Sequence, residues 1–294
     1  MTAHDAFYLD RAVVRASFDR ASATYDEAAV LQSRVADELL ARVDTFNLRP
    51  RVVLDLGAGT ARSTAALKRK FRRSLVVALD LAPRMLIEAR RYQRLFHRFE
   101  RICADATRLP FGDNTVDIVF SSLMLQWCDL YDAFREVRRV LTPDGLFVFS
   151  TFGPDTLKEL RAAWAQADGY NHVNHFLDMH DVGDALVRAG MSEPVLDVDR
   201  LQLTYADATA LMRDLKAIGA HNVTAGRSRG LTGKSRMQQM RGAYEQFRRE
   251  GRLPATYEIV YGTAWGAAGR AGVRAATDGE VRIAADSIRR RGPR

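Results

Sequence analysis

The stretch Val52–Thr64, VVLDLGAGTARST, constrains the chain more than any other. Val52, Val53 and Leu54 form an apolar run of the kind buried on both faces of a parallel sheet. Asp55–Ala61 then turns sharply, and Ala61–Lys70 reads as a helix. Gly57 and Gly59 allow a tight bend and let a ligand approach the main chain. The helix start aims free N–H groups and a positive dipole end at the same point. A strand, a glycine turn and a helix in this order predict an α/β fold with a ligand at the strand's end. Asp55 ahead of the first glycine disfavours a pyrophosphate and suits a cationic ligand. Ala61 stands where the dinucleotide fingerprint has its third glycine.

The next segments extend the pattern. Leu75–Leu79 reads as a second strand ending at Asp80, an acid placed to bond both hydroxyls of a ribose. Arg101–Ala104 reads as a third, followed by Asp105-Ala106, a carboxylate and an N–H suited to an adenine edge. Val116–Ser121 is a fourth strand, and Leu146–Ser150 a fifth after the Pro143-Asp144-Gly145 turn. Taken alone, these residues also fit a nucleotide-type α/β domain with incidental acids at its strand ends. Together, Asp55-Leu56-Gly57-Ala58-Gly59, Asp80, Asp105-Ala106 and the Pro143–Gly145 turn resemble the class I S-adenosylmethionine-dependent methyltransferases over Arg51 to about Thr151. The resemblance implies a Rossmann-like seven-stranded sheet, six strands parallel and one antiparallel. It also implies S-adenosyl-L-methionine as cofactor, bound by Asp55, Gly57, Ala58, Gly59, Asp80, Leu81, Asp105, Ala106 and Ser121.

A chain of 294 residues that is 47% hydrophobic can bury a full core, and one elaborated domain is expected. No apolar run reaches the length of a membrane span, and Met1–Asp10 lacks the apolar core of a secretory signal. Cys103 and Cys128 read as small buried fillers in a reducing compartment. A cytoplasmic protein with no membrane association follows. The tail from Gly266 carries seven arginines against three acids, half of the net charge of +8. It reads as a disordered basic appendage over 266–294; without it the charge is ordinary, so a nucleic-acid partner is not expected.

Arg11–Asp26 and Ala28–Asp44 have helical periodicity and predict an N-terminal helical cap over 1–50, ahead of a methyltransferase domain over 51–265. Pro83–His97 reads as a further helix. The cations of Lys68–Arg73 fall at a helix C-terminus, away from the ligand end of the sheet. Leu123–Trp127 and Thr151–Leu157 leave their strands at the ligand end, so Gln126, Trp127 and Phe152 are candidates to line a substrate pocket. His172, His175 and His180 match no standard metal spacing. They read as a polar pocket wall or a plain loop, with no metal expected. Between strands six and seven, Ala206–Thr256 forms an unusually long insertion that topology places as a lid over the site. Arg227, Arg229, Lys234, Arg236, Arg248, Arg249 and Arg252 make that lid basic, which suits an anionic substrate or acidic partner.

FDRASATYD, SLMLQWC, STFGPDTLKEL and the insertion through LPATYEIVYGTAW are similar, from about Ser17 to Trp265, to the malonyl-acyl-carrier-protein O-methyltransferases of biotin synthesis. This narrower resemblance implies methyl transfer to the free carboxylate of a malonyl thioester on acyl carrier protein. It places Tyr25 near the methyl; within the basic lid, Arg227 and Arg229 are the candidates to anchor the carboxylate, because an arginine fork matches it, and His172 joins Gln126, Trp127 and Phe152 as a candidate to line the substrate pocket. Such a carboxylate is ionised at neutral pH, so no general base is required. Two alternatives stand beside it. One is methylation of another small acidic or lipid-like acceptor. The other is a non-methylating assembly role, because mitochondrial complex I assembly proteins share the GPDTLKEL-like turn and the ATYEIVY-like strand.

Overall fold

Val52–Leu56 forms β1 in the middle of the sheet, four of its five residues buried. The computed structural model describes residues 10–95, 97–220 and 233–266, together with the backbone of 273–275 and 281–283. β1 pairs in parallel with β2 (Leu75–Asp80) on one side and β4 (Val116–Ser122) on the other. β3 (Glu100–Cys103) lies outside β2, and β5 (Leu141–Phe152) lies outside β4. β7 (Leu253–Trp265) runs antiparallel to β5, and β6 (Ser192–Tyr205) runs antiparallel to β7. The sheet order is therefore β3-β2-β1-β4-β5-β7-β6, with β7 alone reversed, the expected six-and-one arrangement. Strand order reverses between β1 and β4, and ligands bind open α/β sheets beyond the carboxyl ends of strands at such a point.

Helices cover both faces. On one, α3 (Val30–Asp44) buries Leu31, Val35, Leu39 and Val43 against Val53, Ile118 and Val148. On the other, α6 (Leu130–Val140) and α8 (Met179–Arg188) bury Phe134, Val137 and Leu186 against Leu54, Leu56, Phe147 and Phe149. α4 (Arg62–Lys70) follows the glycine turn and ends in the expected basic cluster. There Lys68 donates to the Arg72 and Ser74 carbonyls, and Lys70 pairs with Asp44.

Several boundaries move. The first predicted helix is two: α1 (Arg11–Ala21), capped by the Asp10 carboxylate, and the single turn α2 (Tyr25–Ala28), which Tyr25 opens rather than ends. The helix expected over Pro83–His97 is α5 (Pro83–Glu88) plus a 3-10 turn at Ala89–Tyr92, after which Gln93 is extended. Cys103, expected as buried filler, is exposed on edge strand β3; Cys128 is half-buried. In the tail, Val273–Ala275 and Val281–Ile283 pair as two antiparallel strands; the remainder of 267–294 lies outside the described residues. No helix among the described residues is long and apolar enough to cross a membrane.

The long connection between β6 and β7 contributes α9 (Ala208–Ala217), capped by Asp207, and α10 (Lys234–Glu245). α10 packs on α7 (Lys158–Ala165), burying Met240 and Tyr244 in the same core as Trp164.

Candidate active site

The β1–α4 turn is clipped to its neighbour: the Gly57 and Ala58 N–H groups both donate to the Leu79 carbonyl, at 2.8 and 3.0 Å. Gly57 has φ +76°, and a Cβ there would lie 2.1 Å from Met124 Cγ. Gly59 has φ +53° and faces the Tyr25 ring, 4.0 Å from where a Cβ would stand. A left-handed conformation and close packing together require glycine at position 57. Ala61 carries φ +67° at the head of α4.

Asp80 sits at the end of β2 and accepts the Gly59 and Ala82 N–H groups, each at 2.8 Å. Burial raises its pKa to about 6, against the pull of those two bonds. Asp105 follows β3; one oxygen accepts the Thr107 N–H and hydroxyl, the other accepts Arg11 of α1 at 2.7 Å. Asp80, Leu81, Asp105 and Ala106 line a single crevice with Gly57 and Gly59, closed by Phe18 and Tyr25 from the N-terminal helices. Met85 and Met124 supply its apolar walls. A glycine floor, a strand-end carboxylate and a second carboxylate beside a backbone amide suit a ribosyl-adenine ligand, so the crevice fits S-adenosylmethionine.

Three of the expected cofactor residues, Asp55, Ala58 and Ser121, lie outside this crevice. Asp55 does not line this crevice. Its carboxylate turns back to accept the Thr64 hydroxyl at 2.5 Å and lines a recess behind the turn with Ala58 and Gly59. Burial pushes its pKa up to about 7, with the Thr64 bond opposing and Asp80 adding. Ser121 is fully buried and donates to the Leu56 carbonyl within the sheet; its neighbour Ser122 faces the crevice. Side chains alternate along a strand, so the two neighbouring serines face opposite sides of it.

Tyr25 lines both the crevice and the recess. Burial, then the Asp80 and Asp26 carboxylates, raise its pKa, so the phenol stays neutral and is a hydrogen-bond donor. Asp26 fixes this turn in place by accepting the Thr60 hydroxyl at 2.5 Å and the Tyr92 hydroxyl at 2.8 Å. Asp19 of α1 accepts the Arg84 N–H at 2.9 Å. These ties between the N-terminal helices and the sheet leave no local pattern in the sequence.

Beyond Trp127 a second cavity opens, of about 770 Å³. Trp127 lines both spaces and meets Phe18 edge to face at 5.3 Å. Phe152 and His172 line the larger cavity as expected. His172 stacks on Trp164 at 3.7 Å and bonds Asp168 at 2.8 Å. Gln126 lines neither space; it donates to the Leu123 carbonyl and accepts the Thr151 hydroxyl, holding its own loop. Among the described residues, no three His, Cys, Asp or Glu side chains are placed to hold a metal ion.

The Phe152–Leu160 turn is anchored from β7. Glu258, 6% exposed, accepts the Asp155 N–H at 2.7 Å and Arg200 at 3.1 Å, while its carbonyl takes the Gly153 N–H. Glu159 accepts the Thr256 N–H and hydroxyl. Helix α9 forms the opposite wall, bringing Arg213 and Lys216 to the cavity beside Arg20 of α1. Other lid cations are engaged by neighbouring groups. Arg248 pairs with Glu245 and the Ala206 carbonyl, Arg252 bonds Thr204, and Arg236 lies near Asp168 and Tyr170. Arg227 and Arg229 fall outside the described residues.

Comparison with known proteins agrees with this geometry. Residues 54–149 match the family model described as a methyltransferase domain. The YcgJ protein of Bacillus subtilis shares the fold, with a TM-score of 0.57 and 16% identity over 79% of this chain and 98% of that one. The malonyl-[acyl-carrier protein] O-methyltransferase of Methylovorus sp. (strain MP688) is 54% identical over 90% of this chain and 92% of its own length. That of Halorhodospira halophila is 49% identical over 99% of both. With such identity along nearly the full length of both relatives, the chain belongs to the malonyl-[acyl-carrier protein] O-methyltransferase family.

Proposed function

We propose that this protein methylates the free carboxylate of the malonyl thioester on acyl carrier protein, giving the methyl ester that primes pimeloyl formation in biotin synthesis. The observation that carries this reading is the pair of spaces meeting at Trp127: a ribosyl-adenine crevice on one side and a large, cation-rimmed cavity on the other. Identity to the family at 54 and 49% names the acceptor.

S-adenosylmethionine supplies, when bound, an electrophilic methyl on a positively charged sulfur. The chain's own task is to bind, align and exclude water. Asp80 accepts from ribose hydroxyls, Asp105 and the Ala106 N–H read the base, and the glycine turn lets the main chain come close. Tyr25 presents a neutral phenol to the acceptor carboxylate, orienting it without removing its charge. Arg227 and Arg229 are the sequence's candidates for its charged partner. Alignment of reacting groups is worth on the order of 7–11 kcal/mol. A carboxylate stripped of water is also the better nucleophile, so the cap over 1–50 and the lid over 206–256 act on the rate through enclosure.

The test is rescue of a biotin auxotroph blocked at the malonyl-methylation step. Growth without biotin is expected. No growth, with folded protein present in the cells, would count against the reading.

A further inference from the structure

The cavity beside Trp127 is far larger than the acyl group it has to present. At about 770 Å³ it has the size of pockets that enclose drug-sized ligands, whereas a malonyl group has three carbons. Its walls are largely apolar, with Phe152, Leu160, Phe176 and Tyr257 among them. Set into this lining is Asn174, 7% exposed, with its Oδ1 buried and lacking a hydrogen-bond partner among the described residues. Gln32, where the cavity meets the recess behind the glycine turn, has an equally unpartnered Oε1. Buried amide oxygens in folded proteins are almost always paired, so these two call for a partner that arrives with the ligand. Arg20, Arg213 and Lys216 are exposed where they meet the cavity. None of the three has an ion-pair partner among the described residues.

Resting on the acceptor named above, we infer that this cavity binds the phosphopantetheine arm that carries the thioester. Asn174 pairs with an amide of the arm, and Arg20, Arg213 and Lys216 take its phosphodiester. The arm is a flexible chain with secondary amides, an apolar dimethyl segment and a terminal phosphodiester. An apolar tube with an amide in its wall and cations at its rim matches those groups. A side-chain amide is suited to the task, because it both accepts from an N–H and donates to a carbonyl. A free three-carbon diacid, ionised and acceptor-only, offers no donor to Asn174 Oδ1.

The test compares three acceptors: malonyl-acyl carrier protein, malonyl-pantetheine without the phosphate, and the malonyl ester of ethanethiol, which has neither amide nor phosphate. Asn174→Leu is expected to raise KM about tenfold for the first two, the value of one net hydrogen bond, with cofactor affinity unchanged. That penalty should collapse with the ethanethiol ester. Arg213→Ala combined with Lys216→Ala should weaken the carrier-protein substrate and lose its effect once the phosphate is gone. Phosphopantetheine alone should compete with malonyl-acyl carrier protein on the unaltered protein, a measurement independent of how the variants fold. An equal Asn174→Leu penalty on all three acceptors, or no competition by phosphopantetheine, overturns the inference. Absence of methyl transfer from the unaltered protein to any malonyl thioester would instead remove the acceptor reading beneath it.

Discussion

Asp26 accepts the hydroxyl of Thr60, 34 residues away, at 2.5 Å, and so locks the turn that carries Tyr25 onto the glycine loop. The same carboxylate holds Tyr92 at 2.8 Å, so a single acid ties the N-terminal cap to the glycine loop and to the 3-10 turn after α5. Asp26→Ala removes both bonds. Hydrogen bonds to a charged group are worth about 1.5–3 kcal/mol each, and part of that value belongs to the closed crevice. The affinity for S-adenosylhomocysteine should fall at least about tenfold. Calorimetry checks this; an unchanged affinity would show that the latch plays no part in binding.

Gly57 and Gly59 should respond differently to alanine. Both lie at positive φ, which costs an L residue roughly 1–2 kcal/mol. At Gly57 the new methyl also meets Met124, adding about 1–3 kcal/mol of overpacking. Thermal unfolding should therefore show a larger loss for Gly57→Ala than for Gly59→Ala. Met124→Ala should recover part of the former and none of the latter.

Asp55 and Asp80 predict opposite pH trends for stability and binding. Their folded pKa values are raised, to about 7 and about 6, from a reference of 3.8. A raised folded pKa means that the folded state holds its protons more tightly. The contribution of these groups to apoprotein stability is thus fully present below about pH 4 and is lost as pH rises through 6 and 7. Cofactor binding needs the Asp80 carboxylate as an acceptor, so affinity should weaken as pH falls through about 6. Asp55→Asn keeps an acceptor for Thr64 and should stabilise the apoprotein at pH 8 more than at pH 5. Titration calorimetry and melting curves across that range check both signs.

The turn under the large cavity should be separable from the cofactor crevice. Glu258→Ala strands the Asp155 N–H and releases Arg200. In this part-buried turn, losing the bond to a charged acceptor costs about 1 kcal/mol. The acceptor KM should rise as Phe152 and Leu160 lose their footing, while cofactor affinity stays within about twofold. Steady-state kinetics with each substrate varied in turn separates the two effects.

Strands β1 to β5 were legible because each rests on local rules, whereas the reversed seventh strand came with the family resemblance. Val52–Leu54 is apolar throughout, and Gly57 sits in a turn that needs positive φ. What escaped depends on side chains meeting across the fold. Asp26 with Thr60, Arg11 with Asp105, and Glu159 with Thr256 are separated by up to 97 residues and have no periodic signature. Which of Ser121 and Ser122 faces the crevice is set by a strand register that the sequence does not print. Asp55 was aimed at the ligand because nothing local announces that Thr64 captures it. Arg20, Arg213 and Lys216 have no local signal that sets them apart from Arg227 and Arg229, the lid candidates, which lie outside the described residues; only the fold brings the three to one cavity.

The most direct measurement is transfer of a labelled methyl from S-adenosylmethionine to malonyl-acyl carrier protein, with the product located by mass spectrometry. One methyl is expected on the free carboxylate of the malonyl group, with no label on acetyl-acyl carrier protein and little or none on free malonate. Tight cofactor binding without methylation of the malonyl carboxylate would contradict the proposed reaction.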